Sequence, residues 1–208
     1  MNTMNKIEMR ATPSAAERWA LFGDNAIATG DDYVNSLRNR NLTVYLFGQK
    51  VLEPVDHPMI WPSINALKAT YDLAIADPEL ASITSPLIGT RINRFLHVPQ
   101  SPKDLVMKNR MQRKMGQLTG TCFQRCAGLD AISVMHSITF DIDQKYKTQY
   151  HTRFIDFLKK LQAHNQIIAA GMTDPKGDRS KAPHEQEDSE LFMRVTGRND
   201  KGLFVSGA

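Results

Sequence analysis

The sequence predicts a mainly α-helical fold with an unfinished pair of strands at its end. Three observations carry this: a long apolar segment from Cys122 to Phe140, an amphipathic one from Tyr150 to Asn165, and strand patterns confined to two short stretches. Those stretches are Val44–Leu52 and Leu191–Ser206.

Residues 1–28 read as a loosely patterned extension with one short helix around Ala15–Leu21. Thr29 then opens a helix, because Asp31 and Asp32 fall in its first turn, where the helix dipole favours carboxylates. Val44–Phe47 and Val51–Leu52 form a hairpin around Gly48-Gln49-Lys50. Pro54, Pro58 and Pro62 break the next stretch, and Ser63 caps a helix that runs through Leu67, Tyr71 and Leu73 to Ala76. Asp77-Pro78 stops it. Another helix spans Pro102–Leu118, and Gly116, Gly120 and Thr121 loosen the chain before Cys122. Apart from the first hairpin, strands are expected only at the end, with Leu191–Thr196 and Leu203–Ser206 flanking 197–202. The domain reading is therefore an extension at 1–28, a helical domain with a small hairpin at 29–190, and the start of a β domain at 191–208. A lone hairpin is marginal in water. The ending therefore reads as the front of a longer fold or as a surface that pairs with a second polypeptide; a hairpin lying on the helices is the alternative.

Composition excludes several functions. The 208 residues are 41% hydrophobic and 23% charged, ordinary for a globular protein, and the net charge of +4 is dispersed. The most basic stretch, Lys103–Lys114, interleaves its charges with Leu105, Val106, Met107 and Met111, as a solvated helix face does, so nucleic acid is not expected as a partner. No run approaches the roughly 18 apolar residues of a membrane span. The N-terminus has no apolar core of a secretory signal, so the expected compartment is cytoplasmic.

Two segments carry chemistry. Cys122 and Cys126, the only cysteines, lie in GTCFQRCAGLD. A four-residue spacing on a helix sets the two Cβ atoms roughly 5–6 Å apart on one face. Two thiolates so placed can hold neighbouring corners of an iron–sulfur cube, although two small buried thiols fit the same spacing. The second is the octet Met172, Thr173, Asp174, Pro175, Lys176, Gly177, Asp178, Arg179. Pro175 and Gly177 make a turn whose N–H groups can face an acceptor, while Thr173, Lys176 and Arg179 add donors suited to flavin carbonyls or a pyrophosphate. Asp174 and Asp178 can hold the loop through Asx-type bonds instead. His57, His97, His136, His151, His164 and His184 show no ligand spacing and read as structural or solvated, and Tyr146 and Tyr150 as core.

The runs SLRNRNLTVYLFGQKV, VDHPMIWPSINA, IGTRINRF, MQRKMGQLTGTCFQRCAGLDA, IDQKYKTQYH and MTDPKGDRSKAP, taken together, resemble one flavin family. It holds 4-hydroxybutyryl-CoA dehydratases (vinylacetyl-CoA Δ-isomerases) and 4-hydroxyphenylacetate 3-monooxygenases. The likeness extends from about Thr29 to Ala208 and lies on the dehydratase side, because the monooxygenases need no cysteine pair. It implies an acyl-CoA-dehydrogenase-like fold, of which this chain supplies the N-terminal helical domain and the first strands of a truncated middle β domain. It further implies FAD bound by Met172–Arg179, a 4Fe-4S cluster ligated by Cys122 and Cys126, a substrate-facing amide on Gln124, and a short hydroxyacyl-CoA substrate. The family forms homotetramers. Its remaining cluster ligands, a histidine and a third cysteine, lie downstream, so the expectation is a lyase/isomerase inactive as this chain alone, awaiting a complementing C-terminal chain. A flavin-dependent aromatic hydroxylase and a non-catalytic helical assembly module are the alternatives. Because Gln124 lies two residues from each cysteine, a regular helix would turn it about 200° away from them, so the implied role requires a helix start or a distortion there.

Overall fold

In the computed structural model, residues 26–40, 42–169, 175–200 and 202–207 are described. The expected short helix near Ala15 lies outside them. The chain divides into two compact units, 1–169 and 170–208.

The first unit opens with α1 (Gly30–Ser36), capped as its sequence predicts: Thr29 Oγ1 accepts from the Asp32 N–H at 3.0 Å, and the Asp32 carboxylate accepts from the Thr29 N–H at 2.9 Å. The Thr29 side chain and backbone hold the Asp32 carboxyl below its usual range. Strands β1 (Val44–Leu46) and β2 (Gln49–Val51) pair antiparallel across Phe47 and Gly48, whose φ values of 50° and 76° make a tight two-residue turn that suits a hairpin's twist; Phe47 thus belongs to the turn, and Gln49 and Lys50, expected there, belong to β2. Helix α2 (Trp61–Ala76) begins two residues before Ser63, with Pro62 in its first turn and no side-chain cap, so Ser63 is not the cap. Ile64, Ala66, Leu67, Thr70, Tyr71 and Leu73 are its buried residues.

Beyond α2 the structure holds elements that the sequence pattern does not disclose. The short α3 (Pro78–Ala81), capped by Asp77, leads into β3 (Ser82–Thr84), which pairs antiparallel with β4 (Arg91–Asn93). Strands therefore do not wait for the end of the chain; three-residue strands are too short to show an alternating pattern. Buried side chains bind this region to the helices. Asn93 donates to the Thr70 carbonyl, and Arg94 donates to the carbonyls of Glu79, Leu80 and Ser82. Gln162 bridges Ser85 and the Leu96 carbonyl.

Helix α4 (Pro102–Thr119) is capped by Ser101 and closed by Gly120 in the left-handed conformation, φ 61°. It buries Met111 and Met115 and leaves Leu105 and Val106 exposed. Helix α5 (Cys126–Tyr146) starts at the second cysteine, four residues later than the apolar pattern indicates. It is not buried all round: Gly128, Leu129, Ile132 and Thr139 face inward, whereas Val134, Met135, Ile138 and Phe140 are exposed. With α6 (Tyr150–His164) it borders an apolar cleft of about 590 Å³. Tyr146 and Tyr150, expected in the core, lie outside it, each beside a basic side chain. No helix among the described residues is long and apolar enough to cross a membrane.

Three apolar clusters form the core of this unit. Two draw on α2, one around Leu73, Phe95, Met111, Phe123 and Leu129, the other around Tyr33, Val34, Val55, Leu67 and Tyr71. The third joins Ile92, Leu96, Ile132 and Leu158. In the second unit, β5 (Arg194–Asn199) and β6 (Gly202–Ser206) pair antiparallel, with an irregularity between Val195 and Gly197. The first strand thus begins three residues later than its pattern suggests.

Two glycines give opposite expectations. A Cβ on Gly128 would strike the Ile168 carbonyl, whereas one on Gly116 would meet nothing. Gly128→Ala is expected to lower stability by about 1–3 kcal/mol through overpacking. Gly116→Ala should raise it by about 0.5–1 kcal/mol, the usual helix-interior gain. Thermal melts of both variants check the signs.

His97 generates a pH expectation. It is buried, and desolvation lowers its pKa from 6.5; Asp104 Oδ2, 3.4 Å from Nε2, opposes the shift, and Arg94 adds to it. His97 and His136 both line one small cavity. Burial pushes the Asp104 carboxyl up, but hydrogen bonds from the Gln100 N–H and the Ser101 hydroxyl, with the nearby His97 ring, outweigh it and leave it low. The folded state therefore keeps His97 neutral, while the unfolded chain takes up a proton below about pH 6.5, so stability falls as pH drops from 6.5 toward the folded pKa. The denaturant midpoint should decline over that window, and His97→Gln should flatten the slope.

Candidate functional site

The site residues nearest one another in sequence, 122–126, lie in the break between α4 and α5. Gly120 ends α4, and Thr119 Oγ1 steadies the exit by donating to the Met115 and Thr121 carbonyls. The chain from Thr121 to Arg125 is not helical. The two cysteines are therefore not successive turns of one helix, because only Cys126 is helical.

In place of the helix there is an alternation. Cys122 and Gln124 are exposed and Cys126 is half-buried, whereas Phe123 and Arg125 are 8% and 2% exposed. The reversal occurs at Gln124, whose φ of 55° is left-handed and unusual for a side chain of its kind. Its N–H lies 3.4 Å from the Cys122 sulfur. A distortion that turns Gln124 outward with Cys122 is thus present. Both thiols are free. Cys126 opens a 21-residue helix that has no side-chain cap, so the first-turn N–H groups favour negative charge held beside it.

The inward pair was not singled out in the sequence. Phe123 tilts against Phe95 with centroids 5.6 Å apart. The Arg125 guanidinium lies over the rings of Tyr71 and Phe95, 4.9 and 5.0 Å from their centroids, and its Nη1 donates to Thr70 Oγ1 at 2.9 Å. Tyr71 stacks in turn on Tyr33 at 5.3 Å. Among the described residues no carboxylate pairs with Arg125, and its Nη2 makes no hydrogen bond. Burial lowers the Arg125 pKa, with the two tyrosines opposing the shift. Burial also pushes the Tyr71 hydroxyl up to about 12, and that hydroxyl donates to the Asn165 carbonyl at 2.8 Å. Each desolvated cation–π contact contributes about 2 kcal/mol, against the several kcal/mol that burying an unpaired charge costs.

Of the octet, Met172, Thr173 and Asp174 lie outside the described residues. Pro175 to Arg179 form a loop at the start of the second unit. Two of its N–H groups are spent internally, Gly177 on the Pro175 carbonyl and Asp178 on the Gln186 side chain, so those two do not face an acceptor. Asp178 behaves as an Asx turn: its carboxylate accepts from the Ser180 N–H and hydroxyl, which keep its pKa low. Gly177 packs so closely on Gln186 and Leu191 that a Cβ would collide with both. Lys176 and Arg179 are exposed and make no ion pair among the described residues.

Three of the histidines make local contacts. His57 Nδ1 accepts from the Met59 N–H. His151 is held by Thr139 and stacks edge-on against His136 and Phe140. Among the described residues no group of three or more His, Cys, Asp or Glu side chains converges as a metal site. The residues present thus fit part of a cluster's ligand set, two free thiols four residues apart, one exposed and one half-buried.

The left-handed Gln124 predicts a substitution pattern. Gln124→Gly should change stability by less than about 1 kcal/mol, whereas the β-branched Gln124→Val should cost about 1–3 kcal/mol. Denaturant titration of the two variants distinguishes them.

Comparison with known proteins matches this arrangement to a family. Residues 29–208 match the family described as 4-hydroxyphenylacetate 3-hydroxylase N terminal. The 4-hydroxybutyryl-CoA dehydratase/vinylacetyl-CoA-Δ-isomerase of Clostridium aminobutyricum is 48% identical over 185 residues, covering 88% of this chain and 38% of that protein. The structure of an oxygen-tolerant archaeal 4-hydroxybutyryl-CoA dehydratase from N. maritimus is 58% identical with a TM-score of 0.82, over 88% of this chain and 36% of that one. The oxygenase component of 4-hydroxyphenylacetate 3-monooxygenase, solved with FAD and 4-hydroxyphenylacetate, shares the fold at 19% identity and a TM-score of 0.64, over 87% of this chain and 37% of that one. The chain spans a little over a third of the length of these relatives. Matched along 29–208, it belongs to the 4-hydroxyphenylacetate 3-hydroxylase N-terminal family and is similar to the N-terminal part of the 4-hydroxybutyryl-CoA dehydratases.

Proposed function

We propose that this chain forms the N-terminal part of an FAD- and 4Fe-4S-dependent lyase/isomerase that dehydrates a short 4-hydroxyacyl-CoA, 4-hydroxybutyryl-CoA by similarity. The observation that carries the reading is the pair of free thiols, Cys122 and Cys126, on either side of an exposed, left-handed Gln124 in the break between α4 and α5. The identities of 48% and 58% to dehydratases, against 22% and 19% to the monooxygenase oxygenase components, favour this chemistry over aromatic hydroxylation.

In this proposal Cys122 and Cys126 each give one thiolate to the cluster, and the first turn of α5 offsets the charge gathered there. Gln124 turns its amide to the same side, where it can hydrogen-bond a substrate oxygen. Met172–Arg179 contact FAD, with Lys176 and Arg179 as cationic donors. Asp178 holds the loop through its Asx turn, and Gly177 permits the close packing beneath it. When bound, the flavin would supply one-electron chemistry that acidifies an otherwise unactivated C3 proton, and the cluster a Lewis-acidic iron for the departing hydroxyl. A 4Fe-4S cluster takes four protein ligands as a rule, so turnover requires ligands from outside the described residues.

The test uses this sequence together with the remainder of the family fold, in one chain or as a co-produced second one. The protein should be brown and oxygen-sensitive, with about four irons per protomer. Cys122→Ser or Cys126→Ser should bleach it and abolish dehydration while FAD stays bound. Lys176→Ala combined with Arg179→Ala should keep the iron but weaken FAD retention roughly ten- to a hundredfold per lost charge-assisted bond. A colourless double cysteine variant with full activity would overturn the cluster assignment.

A further inference from the structure

A guanidinium that is fully buried, faces no carboxylate among the described residues and leaves Nη2 without a hydrogen bond is a poor stabiliser of a core. An apolar side chain of the same volume would fill that space without carrying a charge out of water. The arginine provides geometry instead. Its planar group fits between two aromatic faces, Tyr71 of α2 and Phe95 of the turn after β4, and its Nη1 reaches Thr70 Oγ1. Phe123, two residues earlier, meets the same Phe95 ring. Residues 123 and 125 thus both close on Phe95, and the residue between them is turned outward with a left-handed φ. Of the flanking cysteines, Cys122 is exposed and Cys126 is half-buried against the apolar cluster that holds Phe95.

We propose that Arg125 is a positioning residue: wedged between Tyr71 and Phe95, it sets the spacing and exposure of the Cys122 and Cys126 thiols and the outward turn of Gln124. This rests on the dithiol reading of the proposed function and deepens it by naming the side chain that builds the pair. It concerns the thiols themselves and does not require a bound cluster.

The test measures thiol geometry in the 208-residue chain without metal. Dibromobimane becomes fluorescent when one molecule has joined two neighbouring thiols, each displacing a bromide. Monobromobimane reports single-thiol reactivity. In Arg125→Met the melting temperature should be unchanged or higher, since an unpaired charge has been removed, while ring closure relative to single labelling slows at least fivefold. Arg125→Lys, which keeps the charge but not the planar stack, should fall between. Thr70→Val, which removes the hydrogen bond at near-constant volume, should slow ring closure in the same direction. A core residue with no positioning role predicts the reverse: lower melting temperature and unaltered ring closure. The proposal is overturned if Arg125→Met and Thr70→Val both close at the wild-type rate. It is equally overturned if closure is lost only where the cooperative melt is lost too.

Discussion

Tyr71 is the residue on which the first unit converges. It is completely buried at the middle of α2, stacked on Tyr33 of α1, roofed by Arg125, and tied through its hydroxyl to the Asn165 carbonyl after α6. Each contact belongs to a different stretch of chain, so one side chain fixes the entry, the centre and the exit of the helical unit. A phenol suits this place because its ring packs on three sides while its single polar atom finds a backbone acceptor. The neighbouring Thr70 extends the same logic, serving Asn93 through its carbonyl and Arg125 through its hydroxyl.

From that hub the short segment between α4 and α5 acquires two sides with different tasks. The inner side, Phe123 and Arg125, belongs to the aromatic column that runs through Phe95 and Tyr71 to Tyr33. The outer side, Cys122 and Gln124, carries a soft donor and an amide, and the half-buried Cys126 follows at the start of α5, packed against the core. A regular helix could not set residues 122–125 alternately out and in, because its 100° step mixes the faces. The chain leaves the helix between α4 and α5 and accepts a left-handed Gln124, a local strain of the kind that gathers at functional sites.

The second unit solves a smaller problem by similar means. Its loop is tethered by Gln186, which accepts from the Asp178 N–H and donates to the Asp178 and Lys181 carbonyls. With the backbone and Asp178 engaged internally, the groups left outward are the cations of Lys176 and Arg179. The division again separates the groups that hold the loop from those it can offer a ligand.

Read along the chain alone, the residues disclose the predominance of helix, the acidic first turn after Thr29, a hairpin that includes Gly48, and the helices from Pro102 and Tyr150. These are local properties: caps, turns and periodic patterns act over a few residues. The same local reasoning placed Asp178 among residues able to hold their own loop. Packing between distant segments settled the remainder. The start of α5 at Cys126, the β3–β4 pair and the exposure of Val134 and Ile138 depend on neighbours that no window along the chain contains. Arg125 is the sharpest case. Arginine is normally a surface residue, and nothing within CFQRC marks this one as buried. Its environment is made by Thr70 and Tyr71, more than fifty positions away in the chain, and by Phe95. Burial is a property of the assembled fold, so the residue that shapes the dithiol face becomes visible only once that fold is complete.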